Sequence, residues 1–383
     1  MLQRAEALMG NPASLHRVGQ AAKSQVESAR ASIAASLGTD PVEVVLTGSG
    51  TEAINLAVKG LFWAAGAERP VIVVPEGEHH AVLDTVEWLE RSQGAELVRI
   101  PLDRGGRIRV DAWVDALERH AGRIALATAI WLNNETGTVQ PVSELARAAG
   151  AAGVPVHFDA VAAYGHERID ALALRELALA GCAISVSAHK IGGPQGVGAL
   201  VIDRGLTPQS LVHGGGQQRK LRAGTENVLG AVAFAAAAEA MNAAFDIEHA
   251  ERTRLRDRLL AGLAELPGVR MNGDAQARGD AIVHATFSGC ESDSLLFLLD
   301  QAGVAVSTGS ACQAGVTEIS HVVLALGYSE DEARGSLRFS LGHTSTDADV
   351  DALLQALPSA FDQARSAGRS DRSTRFDDRS GGS

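Results

Sequence analysis

The sequence predicts an α/β protein whose large first domain is built from parallel βαβ units, followed by a smaller α+β domain. Three observations carry this. Over the first 250 residues, short apolar runs alternate with amphipathic ones, the pattern of strands joined by crossover helices. After about residue 266 that alternation gives way to a few separate strand-like and helix-like runs. The length of 383 residues exceeds one minimal domain and suits a large domain plus a small one.

In chain order, VVLT at 44–47 reads as a strand that leads into a helix from Thr51 to about Ala65. VIVVP at 71–75 precedes a helical run from His80 to Arg91. IALATAI at 124–130 precedes a loop and a helix near 142–152. VPVHFDA at 154–160 and CAISVSA at 182–188 read as buried strands. An Ala-rich helical stretch runs from about Val228 to Leu266, broken near Asp246. Beyond it, AIVHATFS at 281–288 and SLRFSL at 336–341 read as strands. Ser292 to Gln301 reads as a helix, and 347–361 as a closing amphipathic helix. The expected domains are residues 1–245 and 246–365. The segment 366–383 lacks apolar residues apart from Phe376 and is expected to be a disordered tail.

Composition narrows the function. Hydrophobic residues at 46% and charged residues at 21% allow a buried core in a soluble protein. A net charge of −12 argues against nucleic-acid binding, which needs clustered Lys and Arg to neutralise phosphates. No run approaches the roughly 20 uninterrupted apolar residues of a membrane span, and the first residues hold no apolar signal core. A cytoplasmic protein without a membrane partner is expected. The three cysteines, Cys182, Cys290 and Cys312, form no CxxC pair. Neither a structural metal site nor a disulfide framework is expected, and free thiols suit a reducing compartment.

Strand exits are where the chemistry of such a sheet belongs. In SVSAHKIGGPQGVGAL, 185–200, Lys190 follows a buried strand; burial would lower its pKa and make the amine nucleophilic, while a surface turn is the alternative. Asp159 closes the run VHFD, where it could hold a heterocyclic nitrogen protonated or simply cap a helix. LTGSGTEAINLAVKG, 46–60, is strand, Gly-rich turn and helix; Gly48, Gly50 and Thr51 would present an anion site at the helix N-terminus. In STGSACQAGVTEIS, 307–320, Cys312 lies among small residues, an accessible thiol or a harmless loop cysteine. Cys182 and Cys290 read as packing or helix-start residues.

Together these pieces resemble the cysteine desulfurases, of the class V aminotransferase group of pyridoxal-phosphate (PLP) enzymes. The matching motifs run in order: NPASLHRVGQAA at 11–22, LTGSGTEAINLAVKG, EHHAVLDTVEWL at 78–89, NNETGTVQPV at 133–142, HFDAVAAYG, SAHKIGGPQGVGAL, HGGGQQRKLRAGTEN at 213–227, STGSAC and SLRFSLGHT at 336–344. The resemblance implies fold type I, a mixed and mostly parallel sheet between helices plus a small domain carrying an extended catalytic-cysteine loop. It implies removal of sulfur from L-cysteine to give alanine and a persulfide on Cys312. That persulfide would pass to an acceptor such as an iron–sulfur scaffold protein.

Roles are implied residue by residue. Lys190 would hold the cofactor and move the Cα proton, His79 would stack on its ring, and Asp159 would pair with the ring nitrogen. Gly50, Thr51, Ser187 and His189 would bind the phosphate, and Asn134 would contact cofactor or substrate. Thr225 would reach the neighbouring subunit's phosphate in a homodimer, and Arg338 would hold the substrate carboxylate. Taken singly, His79 could start a helix, Arg338 could be a sheet-surface charge, and Asn134 could shape a turn.

Two departures stand out. Ala162 occupies the position of the Gln that usually contacts the ring oxygen, and the opening strand with its Ala-Ala-Thr-Thr-like turn is missing. Another PLP reaction on the same fold, or a degenerate scaffold without catalysis, are the competing readings. The loop thiol argues against the first, and the presence of Lys190, Asp159, His79, Cys312 and Arg338 against the second.

Overall fold

The protein is described from a computed structural model, which covers residues 10–309 and 319–380, the side chains of 368–380 excepted. Two compact units emerge. The first takes Met1–Pro101, Ile108–Leu132 and Gln140–Phe245; the second takes Leu102–Arg107, Asn133–Val139 and Asp246–Ser383.

The first unit is organised around a seven-stranded sheet. Its strands are β1 (Val44–Thr47), β2 (Val71–Pro75), β3 (Glu96–Ile100), β4 (Ile124–Ile130), β5 (Val156–Asp159), β6 (Cys182–Ser187) and β7 (Gly198–Ile202). They lie in the order β1-β7-β6-β5-β4-β2-β3. Every residue of β1, β2, β4, β5, β6 and β7 is buried. That is why these strands read as continuous apolar runs and not as alternating ones: helices cover both faces of such a sheet. Neighbouring pairs are parallel except those made by β7, which runs antiparallel to both β1 and β6. Hence β1, β2, β4, β5 and β6 all point the same way, and their carboxyl ends share one edge. The expected mixed, mostly parallel sheet is present. Two strands of this sheet have no counterpart among the expected ones: the half-exposed β3, and β7, embedded in the Gly-rich GVGALV run that reads as loop.

The helices of this unit are α1 (Arg17–Ser36), α2 (Gly50–Ala65), α3 (His80–Gln93), α4 (Val110–Arg119), α5 (Val142–Ala151) and α6 (Ala171–Leu177). Helix α2 packs Ile54, Val58, Leu61 and Phe62 against Ile72, Val74, Val82 and Val86. Helix α7 (Val228–Ala264) is continuous where a break near Asp246 is expected. No Gly or Pro interrupts it between Gly230 and Gly262, so propagation continues through the acidic residue. By length and composition α7 could cross a membrane. Its apolar residues are instead spent inside the two cores, Phe234 and Ala238 in the first unit and Leu255, Leu259 and Leu263 in the second.

The second unit holds a three-stranded antiparallel sheet in the order β10-β9-β8: β8 (Val269–Asn272), β9 (Ile282–Phe287) and β10 (Ser336–Ser340). Phe287 meets Phe361 and Phe339 edge to face at 5.4 and 6.4 Å, inside a core shared with Leu295, Leu299, Leu337 and Leu357. Helices α8 (Ser292–Gln301), α9 (His321–Ala325), α10 (Glu330–Ala333) and α11 (Asp347–Ser380) complete the unit. Helix α11 extends well into the segment expected to be disordered; once nucleated on its packed base, each added residue costs little. Two short stretches, 102–107 and 133–139, belong here although a division by sequence puts them in the first domain. Backbone bonds explain this: Val139 N–H donates to Ala277 O at 2.8 Å and Gly279 N–H to Gly137 O at 2.9 Å.

Phe287 is 1% exposed and touches two other rings. Phe287→Ala is expected to cost about 3–5 kcal/mol of stability, read as a fall in the denaturant midpoint of the second unit's unfolding.

Candidate active site

The shared edge of the sheet gathers most of the residues singled out from the sequence. Strand β1 leads to Ser49, which N-caps α2 by accepting from the Glu52 N–H at 3.0 Å. Gly50 is the first residue of α2 and Thr51 is exposed beside it. A Cβ on Gly50 would lie 2.6 Å from Val161 Cγ2, so only glycine lets the chain after β5 come this close. Strand β2 leads to Glu78 and His79, β5 ends at Asp159, and β6 ends at Ser187.

Asp159 is 3% exposed. Its Oδ1 accepts from the Val161 N–H at 3.0 Å, so it caps the turn after β5; the helix-cap alternative does not hold, because the next helix begins only at Ala171. Capping does not neutralise it. Burial pushes its carboxyl up to about 6, against the pull of Val161 N–H and the positive charge of Lys190. Lys190 is therefore within electrostatic reach of Asp159. It is exposed and not buried, however. After Ser187 the chain enters a tight 3-10 turn, Ala188–Ile191, in which Ala188 takes the buried position and His189 and Lys190 face outward. Burial is thus not the cause that would make this amine nucleophilic.

His79 is exposed and N-caps α3, its Nδ1 accepting from the Ala81 N–H at 3.0 Å. That bond fixes the ring and leaves Nε2 as the second nitrogen. The helix-start reading of His79 is correct, and it is also what orients the imidazole. Ser187 Oγ lies 2.9 Å from His189 Nδ1. Thr225 is exposed in the segment before α7. Upstream of it, Gln218, Arg219 and Lys220 carry φ of 44°, 56° and 64°, a costly run of left-handed non-glycine residues. Gln218 holds it: its buried Oε1 accepts from Arg30 Nη1 at 2.9 Å and from the Leu46 N–H at 2.8 Å. Ala162 is half-buried and offers no donor. A cavity of about 460 Å³ lies elsewhere, between Lys23, Arg30, Val42, Gln218 and Glu226. It contains none of the expected site residues.

The second unit holds the rest. Arg338 on β10 donates from Nη1 to the Asn134 carbonyl at 2.9 Å. Asn134 sits in a tight turn in which Asn133 Oδ1 accepts from the N–H groups of Glu135 and Thr136 at 3.0 and 2.8 Å. The backbone of Arg338 also pairs with Ser307, N–H to O at 2.7 Å and the return bond at 3.1 Å. Arg338 is mostly buried, so it is not the sheet-surface charge of the alternative reading. Cys312 lies outside the described residues. Cys182 and Cys290 are buried free thiols, with Cys182 pushed up by burial, and both serve packing.

Sequence reasoning passed over several polar residues. Glu78 is fully buried, its Oε1 accepting from the Ile130 N–H at 2.6 Å; burial raises its carboxyl far above the usual range, helped by Asp159. Its signal was an acid directly before His79 at a strand exit. His157 is buried between Thr128 Oγ1 at 2.9 Å and Ser185 Oγ at 2.8 Å, and burial lowers it to about 3, so it ties β4, β5 and β6 together as a neutral ring. In the second unit, Glu135 and His284 are buried. Glu135 accepts from the hydroxyl of Ser320, the N-cap of α9.

The first unit's donors fit a PLP molecule. Asp159 is a buried acid short of positive charge, which a protonated ring nitrogen would supply. Lys190 offers an amine in reach of that acid. The N-terminus of α2 with Thr51, Ser187 and His189 offers phosphate donors.

Residues 2–353 match the family model for class V aminotransferases. An IscS-like cysteine desulfurase of Mycobacterium tuberculosis is 47% identical over 94% of this chain and 91% of its own length. A solved NifS-like protein superposes with a TM-score of 0.83 at 30% identity, covering 93% of this chain and 92% of that one. A second structure, SspA in complex with cysteine, gives 0.75 at 28% identity over 90% and 94%.

A pH-dependent stability follows from the two raised carboxyls. Between the unfolded Asp value near 3.8 and about 6, the folded chain without cofactor holds the Asp159 proton that the unfolded chain has lost. Stability must therefore fall as pH rises through this window. Asp159→Asn is expected to flatten that slope, and chemical denaturation of the apo chain from pH 4 to 7 measures it.

Proposed function

The chain belongs to the class V aminotransferase family, and we propose that it is a PLP-dependent cysteine desulfurase that takes sulfur from L-cysteine as a persulfide on Cys312. The buried, charge-starved Asp159 beside Lys190 at a strand exit is the observation that carries the cofactor half of this reading. The 47% identity to an IscS-like cysteine desulfurase supports the choice of reaction. PLP, when bound, supplies an aldehyde for the substrate amine and a ring that draws electrons from Cα.

The chain's own residues do the rest. Asp159, ionised opposite a ring nitrogen, keeps that nitrogen protonated. Lys190 binds the cofactor, removes the proton at Cα and returns one later in turnover. His79, its Nδ1 held by the Ala81 N–H, would stack on the cofactor ring and would relay a proton from a thiol through Nε2. Gly50, Thr51, Ser187 and His189 hold the phosphate, with Thr225 serving the partner subunit's site in a homodimer. Asn134 contacts the cofactor or the substrate close to the ring oxygen. Arg338 takes the substrate carboxylate, a task its forked guanidinium suits. Cys312, as thiolate, attacks the substrate sulfur: an S–S bond forms, the Cβ–S bond breaks, and protonation at carbon leaves alanine. The persulfide then passes to an acceptor, such as an iron–sulfur scaffold protein. Ala162 removes one donor near the ring oxygen, which is expected to slow turnover without abolishing it. The enzyme works in the cytoplasm, where free thiols such as Cys182 and Cys290 persist.

Three variants test this. Purified protein should be yellow, and Lys190→Ala should lose cysteine turnover while still binding PLP non-covalently. Cys312→Ala should reduce persulfide formation from L-cysteine to background; undiminished sulfide release with pyruvate would mean a lyase instead. Arg338→Lys should raise KM for L-cysteine about tenfold or more, because one charged bidentate contact is lost.

A further inference from the structure

The pair of strands β9 and β10 carries two buried donors with no acceptor among the described residues. Arg338 and His284 stand directly opposite each other in the antiparallel register, so both side chains occupy the same face of the sheet. His284 is fully buried. Its Nδ1 lies 2.8 Å from Asn272 Nδ2. That amide is oriented by its other partners: Oδ1 accepts from the Tyr328 hydroxyl, and Nδ2 also donates to Thr286 Oγ1 at 2.8 Å. Nδ1 is therefore the acceptor and the ring proton sits on Nε2. Among the described residues Nε2 has no hydrogen-bond partner, and neither does Arg338 Nε.

Buried donors are almost always satisfied, and an unmade bond costs about 1–3 kcal/mol. Two orphan donors on facing residues call for a shared acceptor. The carboxylate of Glu135 acts on Arg338 electrostatically but is bonded to Ser320. Beside Nε2 lies Gly309, where a Cβ would come within 3.3 Å of Nε2 and 3.0 Å of Glu135 Oε2 and where φ is +89°, so a side chain there would crowd both groups. A planar anion with two acceptor oxygens matches one charged and one neutral donor. Burial and the charges of Arg338 and Arg278 keep the imidazole neutral, lowering it to about 3, so it donates without adding charge.

Resting on the desulfurase reading above, we propose that His284 is a substrate-binding residue whose Nε2–H donates to the α-carboxylate that Arg338 holds. It makes the site selective for amino acids over amines of the same side chain.

The test uses the PLP-loaded enzyme and the variants His284→Phe, His284→Asn and His284→Gln. Phe and Asn place no donor at the Nε2 position, whereas the Gln amide does. KM is measured for L-cysteine, and binding of L-alanine and of cysteamine, which lacks the carboxylate, is followed by spectral titration. The expected result is about a tenfold rise in KM for L-cysteine and in Kd for L-alanine with Phe and Asn, with kcat and cysteamine binding little changed. Gln should recover most of the loss. Equal weakening of cysteamine and L-alanine would assign His284 a purely structural role, and unchanged L-alanine binding would also overturn the proposal. Should the wild-type enzyme form no alanine from L-cysteine, the desulfurase reading fails, while the L-alanine and cysteamine titrations still decide the role of His284.

Discussion

Asp159 sets the terms for the first unit. A carboxylate at the buried end of β5 is costly to charge, and desolvation outweighs the Val161 N–H and the charge of Lys190 to lift it to about 6. Its charge acts in turn on a second buried acid, Glu78, and helps raise that carboxyl well above the usual range. Such an arrangement is unfavourable for stability, and among the described residues the positive charge that acts on Asp159 is that of Lys190. A cationic ring nitrogen delivered there gains a partner that water no longer solvates. The surrounding architecture follows from this need: parallel strands bring acid, amine and helix N-terminus to one edge, and the glycine at 50 lets the chain after β5 close up against α2.

In the second unit the organising element is a short turn, Asn133–Thr138. Asn133 folds it by accepting from two backbone N–H groups, and Thr138 anchors it through its hydroxyl to the Gly105 carbonyl at 2.8 Å. This turn supplies the carbonyl that orients Arg338 and the carboxylate that Ser320 caps. The residues therefore act through backbone geometry as much as through their side chains. A substitution that unfolds the turn would misplace Arg338 even though Arg338 itself is unchanged.

Much of the site was legible in the linear sequence because strand exits are local events. VHFD, SAHK and SGTE each pair a buried run with a polar residue at its end, and the structure puts each at the expected edge. The residues that escaped notice share another property. Glu78, His157, Glu135 and His284 sit inside apolar or mixed runs, where a polar residue looks like an interruption. Their partners, Ile130, Ser185, Ser320 and Asn272, are far away in sequence or on other strands. Lys190 was located correctly but assigned the wrong environment, since the turn Ala188–Ile191 decides which of its residues faces the core.

The sequence by itself determined the strand–helix alternation and the family, and it singled out the candidate reactive groups, because each is written in short motifs whose physics is local. Only the tertiary structure decided how those groups are tuned. The reversal of β7 between β1 and β6, the lifting of Asp159 by burial, and the neutral His284 opposite Arg338 all depend on which residues meet across strands. Desolvation and cross-strand hydrogen bonding have no linear signature, so a charge or a proton is placed only once the sheet is assembled.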